Sequence, residues 1–301
     1  MKLALSIFVL CIVFYSCETT QNPDPDQPKV YLDINGVTIK CEDCAVGVKG
    51  IVDGVEYEVV DNQLLRQRRD EGVDMTTLCT SLVTDMKELF SETDFNQPIG
   101  NWDVSNVRNM ESMFFNTAFN QPIGNWDVSK VVDMEYLFFN TPFNQPIGNW
   151  DVSNVSDMRT MFTLSSFNQS IEEWNVKNVN NMSAMFWDSP FNEPIGQWDV
   201  SKVIDMSYMF RNSPFNQPIG NWDVSNVFNM GAMFWDSPFN QSIGDWNVSN
   251  VTDMRGMFYN SQFNQNISKW CVIEIVSEPP RFSNNSLFSF SNHPKWGTCP
   301  G

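Results

Sequence analysis

The chain has 301 residues, with 18 Lys and Arg against 36 Asp and Glu, a net charge of −18 and a pI near 4.3. That balance repels nucleic acid and anionic membrane surfaces, and the basic stripe of a nucleic-acid reader is missing. A single histidine, His293, leaves little material for acid–base, metal or triad chemistry, so the composition predicts a non-enzymatic protein with no cofactor or metal.

Residues 1–16 read as a signal peptide. Lys2 supplies the positive start, and residues 3–14 form an apolar run too short to span a bilayer as a mature helix. The run closes on Phe14-Tyr15-Ser16-Cys17, which resembles a bacterial lipobox in its small Ser16 before Cys17, the lipidation candidate. Tyr15 and Phe14 are bulkier than that pattern, and an ordinary signal peptide is the alternative. Residues 17–28, with Pro23, Pro25 and Pro28, form the lipid anchor and an extended tether. The expected location is the outer membrane or cell surface, through the N-terminal lipid, or else secretion.

Residues 29–77 predict a small β-rich cap module. Asn35-Gly36 and Asp53-Gly54 each sit between β-prone runs, the signature of a hairpin. Asp61 is placed to cap a short helix through Leu64, Leu65 and Arg68 that stops near Gly72. Cys41-Glu42-Asp43-Cys44 lacks the context of a redox or zinc motif. A structural disulfide among Cys41, Cys44 and Cys79 is expected, with one of the three left over.

From residue 78 to 270 the chain is one phrase repeated. Phe95-Asn96-Gln97-Pro98-Ile99-Gly100-Asn101-Trp102-Asp103-Val104 returns at Phe119, Phe143, Phe167, Phe191, Phe215, Phe239 and Phe263, always 24 residues on. A fixed period of this size predicts stacked coils that bury a core between neighbours. Leu78, Val83, Met86, Leu89 and Phe90 fall in the phases of Trp102, Val107, Met110, Met113 and Phe114, so the first half-coil is degenerate, as a capping unit is. The period-two pair Trp102 and Val104 reads as a short parallel strand. The spacing of Val107, Met110, Met113 and Phe114 reads as a helical or 3₁₀ turn. The expected fold is an α/β solenoid, a leucine-rich-repeat-like right-handed coil capped at both ends.

Comparison among the copies sorts the positions. Ile99, Trp102, Val104 and their equivalents never change, and the Trp falls by phase in the core rather than on a sugar-binding surface. Asn96, Asn120, Asn144, Asn168, Asn192, Asn216, Asn240 and Asn264 are also fixed, which suggests a buried structural ladder, with a recognition row as the alternative. Asp103, Asp127, Asp151, Asp199 and Asp223 line an outward row with Asn175 and Asn247. Three readings compete there: Asx-turns with the Ser two residues on, a solvated row, or a face for Ca²⁺ or a basic partner. Phe115, Phe139, Trp187, Trp235 and Tyr259 follow the buried Phe of their coils, either as a contact patch or as partial packing. These two rows are the candidate ligand face.

Residues 271–301 break the pattern and read as a C-terminal cap, with a disulfide expected between Cys271 and Cys299. The repeat F-N-Q-P-I-G-N-W-D-V-S-N-V-x-x-M-x-x-M-F strongly resembles the BspA-like leucine-rich-repeat surface proteins of bacteria, over residues 77–270 and parts of the C-terminal cap. The resemblance implies a non-enzymatic cell-surface protein, with adhesion attributed to some relatives. The function expected is a binding or adhesion scaffold for a surface protein or glycan. A structural spacer without a ligand, or a carbohydrate-binding accessory module, are the alternatives.

Overall fold

The computed structural model describes residues 29–300. The signal peptide, the lipidation candidate Cys17 and the tether lie outside the described residues. No helix among the described residues is long and apolar enough to cross a membrane.

Strands β1 (Lys29–Leu32) and β2 (Ile39–Glu42) pair antiparallel around Asn35-Gly36. The Asn35 side chain holds that loop by accepting the N–H groups of Val37 and Thr38, both at 2.9 Å. Strands β3 (Lys49–Val52) and β4 (Val55–Val59) join through Asp53-Gly54, whose φ angles of 49° and 81° are those of a tight hairpin turn. Helix α1 (Asn62–Asp70) begins where the Asp61 carboxylate accepts the N–H of Leu64 at 2.8 Å. It leans on β4 through the Arg68–Glu58 ion pair at 2.6 Å. Strand β5 (Leu78–Cys79) then pairs parallel with β4, so the sheet of this module runs directly into the first coil. Val60, Leu65 and Met75 belong to the core of the repeat array, and Trp102 Nε1 donates to the Met75 carbonyl at 2.9 Å. Cys41 and Cys44 form a disulfide. Cys79 is the third cysteine, buried and free, and burial pushes its thiol above the usual range.

Beyond Cys79 the chain is a repeat array whose coils stack in register. Isolated parallel bridges run from Asp85 to Asn109, Asp133, Asp157, Asn181, Asp205, Asn229 and Asp253, one per coil. Around each bridge the N–H groups of one coil donate to the next. In one coil Met110 donates to Asp133, Ser112 to Glu135, Phe114 to Leu137 and Asn116 to Phe139, at 2.8–3.1 Å.

This ladder corrects the expected division of each coil. No strand lies on Trp102 and Val104, and no helical turn on the Met-x-x-Met-Phe segment. Trp102 and Val107 each close a four-residue turn instead, donating to Ile99 and Val104 at 3.1 and 2.8 Å. The Met segment is a run of overlapping turns in which Ser112 and Asn116 take φ of 55° and 54°. A left-handed residue every fourth position stops helix propagation. It leaves the carbonyls of Glu111, Met113 and Phe115 free to accept from the preceding coil. The coil-to-coil contact therefore lies on residues 109–116 and their equivalents.

The core is the invariant set. The eight Ile, eight Trp and eight Val of the repeat, with the Met, Leu and Phe beside them other than the half-buried Phe95, are at most 4% exposed. Trp126, Trp150 and Trp174 stack at 6.5 Å between ring centres. Each indole N–H in this column donates to an Ile carbonyl of the preceding coil, as Trp150 does to Ile123 at 3.2 Å. Two Phe columns, such as Phe138 against Phe143 at 3.9 Å, fill the other side. At the far end Phe282 and Phe288 continue the core, and the Cys271–Cys299 disulfide fastens the tail over it. There Val272 N–H donates to the Thr298 carbonyl at 3.0 Å.

Candidate binding face

The outward positions of the coil-to-coil ladder make one long face. Its first row is the bridging residue itself. Each Asp or Asn there accepts the backbone N–H two residues on, as Asp133 does from Glu135 at 2.9 Å. The next row carries ion pairs across or within coils: Lys87–Glu111 at 2.7 Å, Arg159–Glu135 at 2.5 Å and Arg255–Asp253 at 2.5 Å. Burial holds the Asp133 carboxyl above its usual range, and the adjacent Asp157 and Glu111 push it the same way. Glu135 is also raised, because burial outweighs the Arg159 guanidinium beside it. Asp253 is different: burial opposes ionisation there too, but Arg255 holds it below the usual range.

The aromatic row stands on the same face. Phe115, Phe139, Trp187, Trp235 and Tyr259 are all half-buried. They form two stacks, broken at Thr163, whose buried hydroxyl donates to the Ala184 carbonyl. In the first, Phe115 and Phe139 lie 4.7 Å apart and nearly parallel, with Tyr136 set edge-on at 5.9–6.0 Å. In the second, the Arg211 guanidinium sits between Trp187 and Trp235, 5.0 and 5.1 Å from their centres, and Tyr259 lies 4.2 Å beyond Trp235. Such cation–π contacts favour a fixed ring orientation. Neighbours along the array thus cover the ring faces, and it is their edges that meet solvent.

Tyr136, Tyr208 and Arg211 complete this row; sequence reasoning passed over the two Tyr and placed Arg211 among the variable positions without making it a site candidate. Tyr136 and Tyr208 share a phase with Ser112, Thr160, Ala184, Ala232 and Gly256, so no aromatic pattern announces them. Arg211 stands in the aromatic phase itself, as a cation among rings.

The other candidate row lies elsewhere on the coil. In the Asp127 coil the buried run of Val128, Val131, Met134, Leu137 and Phe138 separates that row from Phe139. Asp127, Asp151, Asp199 and Asp223 are exposed, and each accepts the backbone N–H of the Ser two residues on at 3.0–3.1 Å. This is the Asx-turn geometry. The Ser153 and Ser201 hydroxyls, then their N–H groups, hold Asp151 and Asp199 below the usual range. Asp103 departs from the row: it is 5% exposed, because Ser81 and the N-terminal module cover it, and its carboxylate accepts the Ser81 hydroxyl at 2.7 Å. It cannot meet a ligand as the outward row requires. Among the described residues no three His, Cys, Asp or Glu side chains converge as a metal ion would need.

The Asn ladder is structural in its contacts. Asn96 Oδ1 accepts the Asn120 N–H at 3.0 Å, and the pattern continues through Asn144, Asn168, Asn192, Asn216 and Asn240 to Asn264 at 2.9–3.0 Å. It is not fully buried as expected. Asn96 and Asn264 are exposed and the rest half-buried, because the ladder runs along a turn at the surface.

A family model described as "Mycoplasma protein of unknown function, DUF285" matches residues 63–164, 115–214, 141–237 and 188–296. No curated protein and no solved structure matches the chain. The overlapping segments take in most of the chain, which belongs to this family.

Proposed function

We propose that this family member is a non-enzymatic, exported scaffold that binds a surface protein or glycan through the ladder face. On this reading the stacked coils are a leucine-rich-repeat-like solenoid of the BspA-like kind, and a lipid on Cys17 holds the protein at the cell surface. The observation that supports it is the contrast between inside and outside. The core positions repeat almost without change through eight copies, while the row Phe115, Phe139, Thr163, Trp187, Arg211, Trp235 and Tyr259, half-buried except at the buried Thr163, changes coil by coil. Stacking alone needs no such variety. Ring edges and guanidinium groups on a rigid support are the residue types that anchor protein interfaces.

The test is binding of the purified protein to a panel of matrix proteins and glycans, with Phe115→Ala/Phe139→Ala and Trp187→Ala/Trp235→Ala as paired variants. Saturable binding that falls at least about tenfold in one pair is expected, since anchors of this type contribute on the order of 2 kcal/mol each. Binding to no panel member would favour a spacer without a ligand. Labelled palmitate that enters the protein and is lost in Cys17→Ser is the matching test of the anchor.

A further inference from the structure

The ladder face is not uniform. Towards the C-terminal cap it opens into a groove of about 480 Å³, in the size range of small-ligand sites. Small residues open it: Gly231, Ala232 and Gly256 stand where other coils carry Glu111, Glu135, Arg159, Tyr136 or Thr160. Its walls are Tyr208, Trp235, Arg255 and Arg281, with Asn229 and Asp253 between them. Trp235 is seated by Gly256. A Cβ at Gly256 would stand 2.7 Å from two carbons of the indole, and its φ of 63° is one that L side chains rarely adopt.

The cations here are unusual for the chain. Acidic residues outnumber basic ones two to one, yet Arg211, Arg255 and Arg281 gather around Trp235, and Arg211 and Arg281 lie 5.1 and 6.0 Å from its ring centre. Asp253 takes Arg255. Neither Arg211 nor Arg281 has a carboxylate partner among the described residues. Arg281 follows the phase of Met233 and Met257, which are buried, but its φ of 61° turns it out at the rim. The groove therefore offers one unneutralised guanidinium group, Arg281, beside Tyr208, which is 41% exposed; Arg211 stands outside it between Trp187 and Trp235, and both oxygens of the Asp253 carboxylate already accept from Arg255.

We propose that this groove takes the carboxylate-bearing terminal sugar of a glycan, with Arg281 receiving the carboxylate. This rests on the reading that the ladder face binds a ligand. The pyranose ring lies against Tyr208. Guanidinium groups match a carboxylate in geometry as well as charge. A neutral sugar would leave the Arg281 cation unanswered. A long polyanion meets the field of a chain at −18, whereas a single carboxylate inside a screening length of about 8 Å feels mainly the local cations. An extended peptide finds no free ladder to join, because Ala232 and Gly256 N–H groups already donate to Arg255 and Pro280 at 2.8 and 3.1 Å.

The experiment is calorimetry of the purified full chain with 3′-sialyllactose and a glucuronic-acid-terminated disaccharide, against lactose and a hexaglutamate peptide. At least one acidic sugar should bind, with lactose and the peptide at least about tenfold weaker. Arg281→Gln should weaken that sugar about tenfold or more, while Asp127→Asn, elsewhere on the coil, leaves it unchanged. An unchanged melting temperature in Arg281→Gln establishes that its loss is at the site. Equal binding of lactose or the peptide, or acidic-sugar binding that survives Arg281→Gln, overturns the proposal. Binding of a panel protein that depends on Phe115 and Phe139, with no acidic sugar bound, overturns this inference and leaves the broader reading standing.

Discussion

Asn192 Oδ1 accepts the backbone N–H of Asn216 at 2.9 Å, and the neighbouring Gln217 amide donates to the same oxygen at 3.2 Å. One side-chain atom thus satisfies a turn in the next coil, where no strand supplies a backbone partner. Asn192→Ala removes the acceptor of the Asn216 N–H, while Gln217 keeps the Asn192 carbonyl at 2.9 Å, and is expected to cost about 1–2 kcal/mol, as a half-buried N–H loses its partner. Asn192→Asp keeps an acceptor and is expected to cost less. Urea unfolding midpoints of the two variants check the order. Because each coil contacts only its neighbours, the loss should be similar at Asn168 and Asn216.

Leu164 is held at φ 57° and is 47% exposed. Its equivalents are Asn116, Asn140, Asn212 and Asn260, and Asn tolerates the left-handed region where Leu does not. Asn140 also donates its side-chain amide to Asn116 one coil back, at 2.6 Å. Leu164→Asn relieves the backbone and offers the same contact to Asn140. A gain of about 1 kcal/mol is expected, visible as a higher melting temperature with unchanged far-UV spectrum.

That left-handed series is also where sequence reading lost the fold. The hairpins and helix α1 were legible because Asn35-Gly36, Asp53-Gly54 and Asp61 are local chemical instructions. The core was legible because Trp and Val recur at one phase. The path of each coil was not. Trp126 and Val128 are buried on either side of the exposed Asp127 by two turns rather than by a pleat, and period two cannot tell these apart. Ser112, Tyr136, Thr160 and Ala184 give no sign of φ near 60°. The Asn and Asp at phase 116 did carry that signal, since those residues are enriched in the left-handed region. The exposed edge of the face was half legible: Trp187 and Trp235 announce themselves, but only the fold places Arg211 between them and turns Arg281 towards them.

Asp133 and Asp157 occupy adjacent rungs of the bridging row, and burial raises the Asp133 carboxyl. The folded chain therefore holds a proton that the unfolded chain releases. Stability falls as pH rises from the ordinary carboxylate range through the raised value of Asp133, and the loss persists above it. Asn109, Asn181 and Asn229 fill the same row without charge. Asp133→Asn keeps the acceptor for the Glu135 N–H. It should stabilise the protein by about 0.5 kcal/mol at neutral pH by removing a like-charge pair, with the gain shrinking towards zero near pH 3. Unfolding midpoints across pH 3–8 for parent and variant test the sign.

Trp174 and Trp187 separate what holds the coils from what faces outward. Trp174 is 3% exposed, and its indole N–H donates to the Ile147 carbonyl at 3.1 Å. Trp187 is half-buried and rests on Arg211. Trp174→Phe leaves a buried carbonyl without its donor and a void where the larger ring stood. A cost of about 2–3 kcal/mol is expected from the two effects together. Trp187→Phe keeps a ring under the guanidinium and leaves the rest of its edge in water, so a cost below about 1 kcal/mol is expected. Binding should move the opposite way. Any ligand taken by the ladder face should lose affinity in Trp187→Phe, while Trp174→Phe binds normally at temperatures where it remains folded. Thermal unfolding and binding, measured on the same two variants, decide whether the outer ring belongs to recognition or only to packing.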